Sequence, residues 1–324
     1  MSTPVPANAS TPCWVLHDGR AGNRRQAIAL ADALGLPWRE WQLKADPLTR
    51  WLAPRPWPGS RAGFGTDFRA ALQRHRPELV IGCGRLAALA TRQARSAGAR
   101  AVQILDPRID PAHWDLVIAP EHDGLQAANV LTLSGSLNPV DEAWLAHARS
   151  QHAALGDLAA PRTAVLLGGP THAVRFNRGA LEVLLAKLEF SLQRDGGRLM
   201  ICGSRRTPPA WAELLRARYA GDGHRVWLDA SDGENFYAGA LAWADRIVVS
   251  PDSVNMISEA CATALPVFVA EPKRATGRVR RYLDNLLERG RIRALERDSV
   301  SFDAQPLRET PRIAALVRER LSLR

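Results

Sequence analysis

The sequence predicts an α/β fold of two Rossmann-like domains that face a central cleft. Short apolar runs that do not alternate with polar residues recur along the chain, and glycine-containing loops and segments with helical apolar spacing follow them. Such runs are typical of strands buried on both faces of a parallel sheet. The 324 residues, 46% of them hydrophobic, are enough for two buried cores. In folds of this class, ligands bind beyond the carboxyl ends of the strands.

The first half of the chain begins with residues 1–12, which contain no Lys or Arg and no apolar core. This segment lacks the features of a signal peptide and predicts a disordered tail. Residues 13–157 are expected to form the N-terminal domain, and Asn23 is expected to cap its first helix. The predicted strands of this half, in chain order, are residues 13–16, 79–84, 101–105 and 115–119.

A second series of strands and helices predicts a C-terminal domain over residues 158–307. Residues 308–324 are expected to form a closing helix, with Thr310 as its cap and Pro311 in its first turn. The predicted strands of this half are residues 162–169, 198–204, 225–229, 246–250 and 266–270.

Composition and missing motifs exclude several function classes. The net charge of +10 is not accompanied by a nucleic-acid recognition motif, so no specific nucleic-acid partner is expected. The four cysteines form no CxxC pair, which argues against disulfides and thiolate zinc sites and favours a cytoplasmic location. Neither HExxH nor Asp-x-Asp occurs, so we expect no metal. The motifs of serine hydrolases and P-loop proteins are also missing.

Four loops follow predicted strands and precede predicted helices, where backbone N–H groups can point at an anion. A tight chain reversal explains any one of these loops equally well, but their shared position makes the set informative. The candidate residues in these loops are Asp18, Gly19, Gly22 and Asn23; Gly82 and Gly84; Gly168, Gly169 and Thr171; and Ser250, Asp252 and Ser253.

The second of these loops also allows a dinucleotide interpretation. Gly82 and Gly84 open a GxGxxA pattern after a strand, and Asp106 follows at the end of the next predicted strand. This arrangement approaches the NAD fingerprint. Against it, the third glycine is replaced by Ala87, and the pattern does not follow the first strand of its half.

The stretch from 244 to 270 is the most informative part of the sequence. A strand delivers Ser250, Asp252 and Ser253, a helix begins there, and Glu259 falls inside that helix. A carboxylate at this position can accept hydrogen bonds from ribose hydroxyls while the helix N-terminus meets a diphosphate. The alternative is that Asp252 only caps the helix and Glu259 is only a solvated helix residue.

This stretch resembles the nucleotide-sugar motif of GT-B glycosyltransferases, notably the GlcNAc transferase of peptidoglycan lipid synthesis. RPELVIGCGRLAALA is similar to the acceptor loop of that enzyme. A closer resemblance is to the bacterial branch of the family named for the plant elongated-mitochondria fission factor. The segments HDGRAGNRRQ, GGPTHAVRFN, DGENFY and SPDSVNMISEACAT carry it in order over most of the chain. The resemblance implies a GT-B fold, with an N-terminal acceptor and membrane side and a C-terminal nucleotide-sugar side.

A glycosyl transfer site needs positive charge for the leaving diphosphate and a base for the acceptor hydroxyl. His-Asp-Gly occurs twice in the first half, with Asp18 and with Asp123. We take Asp18 or His17 as the base. Turn formation is the alternative explanation for the presence of either aspartate. Ser204 and Arg205 complete the expected donor site. Further charge could come from Arg206, Lys273, Arg274, Arg278, Arg280 and Arg281, unless the last five only form a solvated helix face.

Residues 38–61 hold four of the ten tryptophans together with basic residues. Trp and Arg together favour a membrane interface, so we expect a lipid-linked acceptor or an anionic membrane surface as partner, with peripheral attachment to the inner membrane. The alternative is a loop folded back on its own core. The leading hypothesis is a metal-independent glycosyltransferase of the hexosyltransferase type, in cell-envelope glycan assembly, that takes a nucleotide sugar as substrate and uses no cofactor. The alternatives are a non-catalytic adaptor and an NAD-dependent sugar-nucleotide enzyme.

Overall fold

A computed structural model describes residues 13–323 of the chain. The tail expected at residues 1–12 lies outside the described residues. The chain divides into two compact units: residues up to Pro139 with those from Glu309 onward, and Val140–Arg308. Within residues 13–323, no helix has the length and apolar character that crossing a bilayer requires.

The first unit is built on a six-stranded sheet in which every pairing is parallel. The strands lie in the spatial order β2-β1-β3-β4-β5-β6. The strands β1 to β6 are Cys13–His17, Trp38–Gln42, Leu79–Cys83, Arg100–Ile104, Leu116–Pro120 and Val130–Leu133. The helices α1 to α4 are Ala21–Ala33, Pro47–Leu52, Gly65–His75 and Arg85–Ser96, and the C-terminal helix of the chain, α11, is Glu309–Leu321.

The second unit also carries a six-stranded parallel sheet. Its spatial order is β12-β11-β10-β7-β8-β9. The strands β7 to β12 are Arg162–Leu166, Arg198–Cys202, Arg225–Trp227, Arg246–Val249, Val267–Val269 and Ile292–Ala294. The helices α5 to α10 are Glu142–Gln151, Arg178–Asp195, Pro209–Tyr219, Tyr237–Trp243, Val254–Cys261 and Gly277–Glu288.

Strand β1 shows why the apolar runs of this sequence form doubly covered sheets. Its alternate residues enter two separate cores: Cys13 and Val15 pack with residues of α1 and α11, and Trp14 and Leu16 pack with residues of α3 and α4. Because successive side chains point to opposite faces of a strand, a run without polar residues is buried only when both faces are covered. The predicted α/β class with two parallel sheets is confirmed.

Three strands were not predicted, and two capping predictions were wrong. Strands β2, β6 and β12 are short or carry polar residues, so they lack the apolar run that marks the others. Helix α1 is preceded by Arg20, and Asn23 lies inside its first turn. Helix α11 begins at Glu309, so Thr310 is not its cap; the Thr310 Oγ1 instead donates to the carbonyl of Asn138 at 2.7 Å.

The division between the two units lies at Pro139, before the predicted boundary at residue 157. Helix α5 belongs to the second unit because it packs on α8. Arg149 Nε donates to the carbonyl of Ala242 at 2.9 Å. A Cβ added at Gly239 would lie 2.5 Å from His152 Cβ, so the two segments are in close contact.

Candidate functional site

The candidate loops lie at the switch points of the two sheets. Numbered within its own unit, the second sheet has the strand order 3-2-1-4-5-6, which reverses direction between β7 and β10. The first sheet has the order 2-1-3-4-5-6 and reverses between β1 and β3. At such a point the connecting helices pass to opposite faces, which leaves a crevice beyond the strand ends where ligands bind. Each unit therefore places a pair of the predicted loops at its crevice.

In the second unit, the buried carboxylate of Asp252 joins the two loops of the switch point. Its Oδ1 accepts from Ser250 Oγ at 2.6 Å, and its Oδ2 accepts from the backbone N–H of Gly169 at 3.1 Å. Ser250 Oγ also accepts from the N–H of Gly168 at 2.8 Å. The guanidinium of Arg206 donates to Asp252 Oδ2 at 2.6 Å. Asp252 therefore organises the loops, which is more than the helix-capping role considered for it.

The two glycines of this turn are required by close approach. A Cβ at Gly168 would lie 2.0 Å from Asp252 Oδ2, and a Cβ at Gly169 would lie 2.0 Å from the backbone oxygen of Arg206. Neither position has a positive φ. The lack of a side chain, rather than backbone freedom, is therefore what these positions need.

Arg205 and Arg206 occupy different settings at the end of β8. Arg206 forms an ion pair with Asp252, so its charge is partly neutralised within the protein. Arg205 is exposed, and its side chain has no ion pair or hydrogen bond with any residue between 13 and 323. The loop is folded by Ser204, whose N–H donates to Thr207 Oγ1 at 2.9 Å and whose Oγ accepts from the Arg206 N–H at 3.2 Å. Arg205 is thus the side chain of this loop that is best placed to meet an added anion.

Helix α9 starts directly after the Asp252 loop. Ser253 is its N-cap and accepts from the N–H of Met256 at 3.4 Å. Glu259 lies near the end of the helix and is only 2% exposed. Its Oε2 accepts a 2.5 Å hydrogen bond from the hydroxyl of Tyr237. Burial contradicts the alternative that Glu259 is a solvated helix residue.

The Gly168–Gly169 turn continues into a short bridge that meets the basic segment. Thr171 pairs with Val174, and Val174 pairs with Ala275. The N–H of Thr276 donates to the carbonyl of Ala173 at 2.7 Å. The start of α10, with part of the basic cluster, is therefore held against the turn.

The five basic residues of the cluster are not all available to a ligand. Arg280 is paired with Asp284 at 2.7 Å, and Arg274 lies 3.8 Å from Glu271. Lys273 is exposed and forms no ion pair with the part of the chain between residues 13 and 323. Arg278 and Arg281 also have partners within the protein.

In the first unit, His17 is fixed at both ring nitrogens. Nδ1 accepts from the N–H of Gly19 at 3.0 Å, so the ring proton is assigned to Nε2, which donates to Glu40 Oε1 at 2.7 Å. The Arg24 guanidinium is the main cause that holds the pKa of Glu40 below its ordinary value, and the bond with His17 adds to the effect. His17 is therefore placed to orient the loop, in a different setting from that expected of a general base.

Asp18 connects the two loops at the switch point of this unit. Its Oδ1 accepts from the N–H of Arg20 at 3.1 Å and from Asn23 Nδ2 at 3.0 Å. The Asn23 amide in turn lies over Gly84, where an added Cβ would be 2.4 Å from Nδ2. The carboxylate itself is 17% exposed, so it remains reachable from solvent. The structure brings Asp18, Asn23 and Gly84 together, and Asn23 supports Asp18 instead of capping a helix.

The other acceptor-loop glycines have separate settings. Gly19 has a φ of +82°, and a Cβ there would lie 2.6 Å from the amide of Gln42. Gly22 lies in the first turn of α1. Gly82 is enclosed by protein, since a Cβ would lie 2.5 Å from Thr91 Cγ2.

The geometry gives little support to the dinucleotide interpretation. A pyrophosphate would have to approach Gly84, where the Asn23 amide already lies. Asp106, the expected ribose partner, accepts from the N–H of Arg108 at 2.8 Å and pairs with its guanidinium at 3.2 Å. Both groups that the fingerprint needs are therefore engaged by the protein.

Sequence comparison identifies the family once these loops are defined. The model of the mitochondrial fission ELM1 family matches residues 21–321. The chain belongs to this family. The mitochondrial fission protein ELM1 of Arabidopsis thaliana is 29% identical over 286 residues, which are 79% of this chain and 66% of the plant protein. This ELM1-family chain thus spans slightly less than two thirds of that relative. An uncharacterized protein of Rickettsia prowazekii is 22% identical, with 96% of this chain and 98% of that protein covered.

Solved structures show the same fold at low sequence identity. The UDP-GlcNAc 2-epimerase from Methanocaldococcus jannaschii has a TM-score of 0.56 and 14% identity, and the match covers 95% of this chain and 99% of that one. The spinosyn forosaminyltransferase SpnP has a TM-score of 0.50 and 15% identity, with coverage of 96% and 95%. The predicted GT-B-like fold of this ELM1-family member is confirmed.

Sequence reasoning missed several residues of the candidate site. Tyr237 supports Glu259 across 22 residues, and Glu40 with Arg24 supports His17. Tyr237 belongs to the DGENFY segment that carried the family resemblance, but Glu40 had no signal because β2 was not predicted. Residues 13–323 contain no group of three His, Cys, Asp or Glu side chains that could hold a metal ion.

Proposed function

We propose that this chain binds a nucleotide sugar in its second unit and transfers the sugar to an acceptor without a metal ion. The supporting observation is that the glycine turn and the start of α9 meet at the switch point of the second sheet, and that α9 also carries the buried carboxylate of Glu259. Both structural relatives described above carry names that involve sugars: a UDP-GlcNAc 2-epimerase and a forosaminyltransferase. A nucleotide sugar is the ligand class that these features fit together.

Each feature of this site would bind a different part of the nucleotide sugar. Glu259 would accept hydrogen bonds from ribose hydroxyls, with Tyr237 holding the carboxylate in place. The diphosphate would lie at the N-terminus of α9, beside the Gly168–Gly169 turn, because the helix dipole favours negative charge there. The N–H groups of the two glycines already donate to Ser250 and Asp252, so these glycines would shape the turn beside the ligand. Arg205 would add a full positive charge. The remaining donor residues, Thr171, Ser204, Ser250, Asp252 and Ser253, would shape the loops around the ligand.

In the transfer step, a bond forms between the acceptor oxygen and the anomeric carbon as the bond from that carbon to the diphosphate oxygen breaks. The acceptor proton passes to a base, and the bonding electrons leave with the diphosphate. Helix N-termini and guanidinium groups stabilise that leaving charge, which a metal would otherwise do. We assign the base to Asp18, whose carboxylate is reachable from solvent, and give His17 the role of fixing the loop through Gly19 and Glu40.

We further propose that the acceptor is a lipid-linked glycan precursor at the cytoplasmic face of the inner membrane. The acceptor loop would comprise Gly19, Gly22, Asn23, Gly82 and Gly84 of the first unit. The basic and Trp-containing segment of the same unit supports this choice, because both residue types favour membrane interfaces.

Thermal unfolding of the purified protein tests donor binding. A ligand at about 100 times its dissociation constant adds roughly 2.7 kcal/mol to the free energy of unfolding, which raises the melting temperature by several degrees. UDP-, GDP- and CMP-sugars are compared with NAD. A rise with one nucleotide sugar that is lost in Glu259→Gln and kept in Glu182→Gln, an exposed glutamate on α6, supports the donor site. A rise with NAD alone contradicts it.

Family membership favours a second candidate, a non-catalytic adaptor that has retained the fold. The plant relative is named as a mitochondrial fission protein, not as a transferase. Donor binding without turnover, or no donor binding at all, would support the adaptor. If transfer is detected and is abolished by Asp18→Asn in a protein that still folds and binds donor, the adaptor alternative is rejected.

A further inference from the structure

The segment rich in tryptophan presents one apolar surface to solvent. Trp38 donates to Asp32 at 2.8 Å, and Trp41 packs 5.1 Å from Trp14 between ring centroids. Trp57 donates to Thr49 Oγ1 at 3.2 Å. These three tryptophans are folded onto the protein, which agrees with the alternative of a loop folded back on its own core. Trp51 is different, because it is 74% exposed.

Trp51 and Leu48 lie three residues apart on the short helix α2, so they share one face. Leu48 is 46% exposed, and the described chain has only two other large hydrophobic side chains in this exposure class, Val183 and Val300 in the second unit. Between them, Thr49 is fully buried, and its N–H donates to the carboxylate of Asp46, the N-cap of the helix. The helix therefore buries the polar Thr49 and leaves the apolar Leu48 and Trp51 exposed.

Helix α4 holds this segment in position. Arg85, Arg92 and Gln93 donate to the backbone carbonyls of Arg50, Pro54 and Ser60, at 2.9, 3.0 and 2.8 Å. Bonds to backbone oxygens fix the course of the chain without covering its side chains. The exposure of Leu48 and Trp51 is thus built into the fold and does not result from a loose loop.

Basic residues flank the exposed pair in the sequence. Lys44, Arg50 and Arg55 are exposed, and their side chains form no ion pair with any residue of the described range 13–323. The acidic residue within residues 44–60 is Asp46, whose carboxylate accepts from the N–H and the hydroxyl of Thr49. The segment therefore combines a small apolar face with unneutralised positive charge.

We propose that Leu48 and Trp51 of α2 insert into the interface of an anionic lipid bilayer, with Lys44, Arg50 and Arg55 against the lipid headgroups. An apolar face gains free energy by entering the acyl boundary, and each nearby cation gains from the negative surface potential. The exposed pair is small, so the contact is reversible and depends on both contributions. This inference deepens the proposed function, on which its link to an acceptor rests, but lipid binding is measured without any sugar nucleotide.

Vesicle sedimentation tests the surface. The intact protein is mixed with vesicles of phosphatidylcholine alone or of phosphatidylcholine with phosphatidylglycerol, at low and high salt. We expect binding to the anionic vesicles that weakens with salt. The double variant Leu48→Ser and Trp51→Ser should lower the partition coefficient about tenfold. Arg50→Gln and Arg55→Gln should each lower it about fivefold.

The control is the double variant Val183→Ser and Val300→Ser, which removes exposed apolar groups of the second unit and should bind vesicles as the wild type does. Brominated lipid should quench tryptophan emission in the wild type and quench it less in Trp51→Phe. Failure of the wild type to bind anionic vesicles, equal binding to neutral vesicles, or full binding by the Leu48 and Trp51 variant would each overturn the proposal.

The result is separable from the donor site. If vesicle binding fails while a nucleotide sugar still raises the melting temperature, only the docking surface is rejected. If the protein binds vesicles as expected and no nucleotide sugar raises its melting temperature, the docking surface is supported and the donor site is rejected. Thermal unfolding of each variant confirms that it folds, which exposed positions should allow.

Discussion

The hydroxyl of Tyr237 donates a 2.5 Å hydrogen bond to Oε2 of Glu259, a carboxylate that is 2% exposed. A buried carboxyl oxygen requires partners, because its desolvation is costly when a hydrogen bond is missing. Tyr237 therefore does more than fill space at the start of α8. It sets the position of the carboxylate that we assign to the ribose.

Tyr237→Phe removes this hydroxyl while keeping the ring. We expect the free energy of unfolding to fall by roughly 1–3 kcal/mol, because Glu259 loses a hydrogen bond in a buried setting. Nucleotide-sugar affinity should fall as well, since the carboxylate is no longer held. Urea denaturation and calorimetric titration measure the two effects.

Tyr219→Phe provides the matched control. Its hydroxyl donates to Glu189 at 3.2 Å, and Tyr219 is buried, but it lies on α7 outside the candidate site. Stability should fall there without a change in donor affinity. Equal affinity in the Tyr237 variant and the wild type would show that Glu259 needs no such support.

The sequence predicted where the candidate loops lie along the chain, but it did not predict which residues these loops contact. Loops after β1, β3, β7 and β10 could be found because buried parallel strands have long apolar runs, and ligand loops follow such strands. The contact between Arg206 and Asp252 joins residues 46 positions apart, and local spacing carries no information about it. Which loops are neighbours depends on the strand order, which is a tertiary property.

The same limit explains the missed strand β2. Its sequence WREWQ contains three polar residues, and β2 is the edge strand of its sheet, with one side not paired with another strand. Without β2, Glu40 had no assigned place, and its bonds to His17 and Arg24 could not be anticipated. The two candidates for the general base, Asp18 and His17, therefore have different settings in the structure. Asp18 is an accessible carboxylate, and His17 is a ring fixed by hydrogen bonds.

Asp252→Asn should destabilise the second unit. The substitution removes the charge that Arg206 meets at 2.6 Å and disturbs the acceptors of Ser250 and Gly169. Hydrogen bonds to a charged group are worth more than neutral ones, so we expect a loss of roughly 2–3 kcal/mol in the free energy of unfolding. Asp284→Asn, at an exposed pair with Arg280, should cost about 0.5 kcal/mol or less. Similar losses in the two variants would contradict an organising role for Asp252.

Gly169→Ala tests the close approach of the turn to the β8 loop. The added methyl group would meet a backbone oxygen at 2.0 Å, and backbone cannot move aside as a flexible side chain can. We expect a loss of roughly 1–3 kcal/mol in unfolding free energy, from overpacking, together with weaker donor binding. In Gly179→Ala, the nearest atom is Asn177 Oδ1 at 3.7 Å, and the helical position should gain up to about 1 kcal/mol. Unchanged stability in the Gly169 variant would mean that the loops can separate freely.

The pH dependence of stability should report on Glu40. The hydrogen bonds from Arg24 and His17 hold the pKa of Glu40 below its ordinary value of 4.5 in the folded protein. A depressed pKa means that the unfolded state takes up a proton first as the pH falls. The stabilisation is therefore complete well above pH 4.5 and is lost as the pH falls through the pKa of the folded state.

Glu40→Gln should flatten this part of the stability curve. Other carboxylates, such as Asp195 and Asp232, also have lowered pKa values, so the stability of both proteins depends on pH in this range. The informative quantity is therefore the difference in unfolding free energy between the wild type and the variant. Urea denaturation between about pH 6 and about pH 3 should show a wild-type advantage that shrinks with acidification. Glu182→Gln, which changes an exposed helical pair, should follow the wild-type curve. A constant difference across the range would mean that Glu40 stabilises the acceptor loop through packing, with no contribution from its charge.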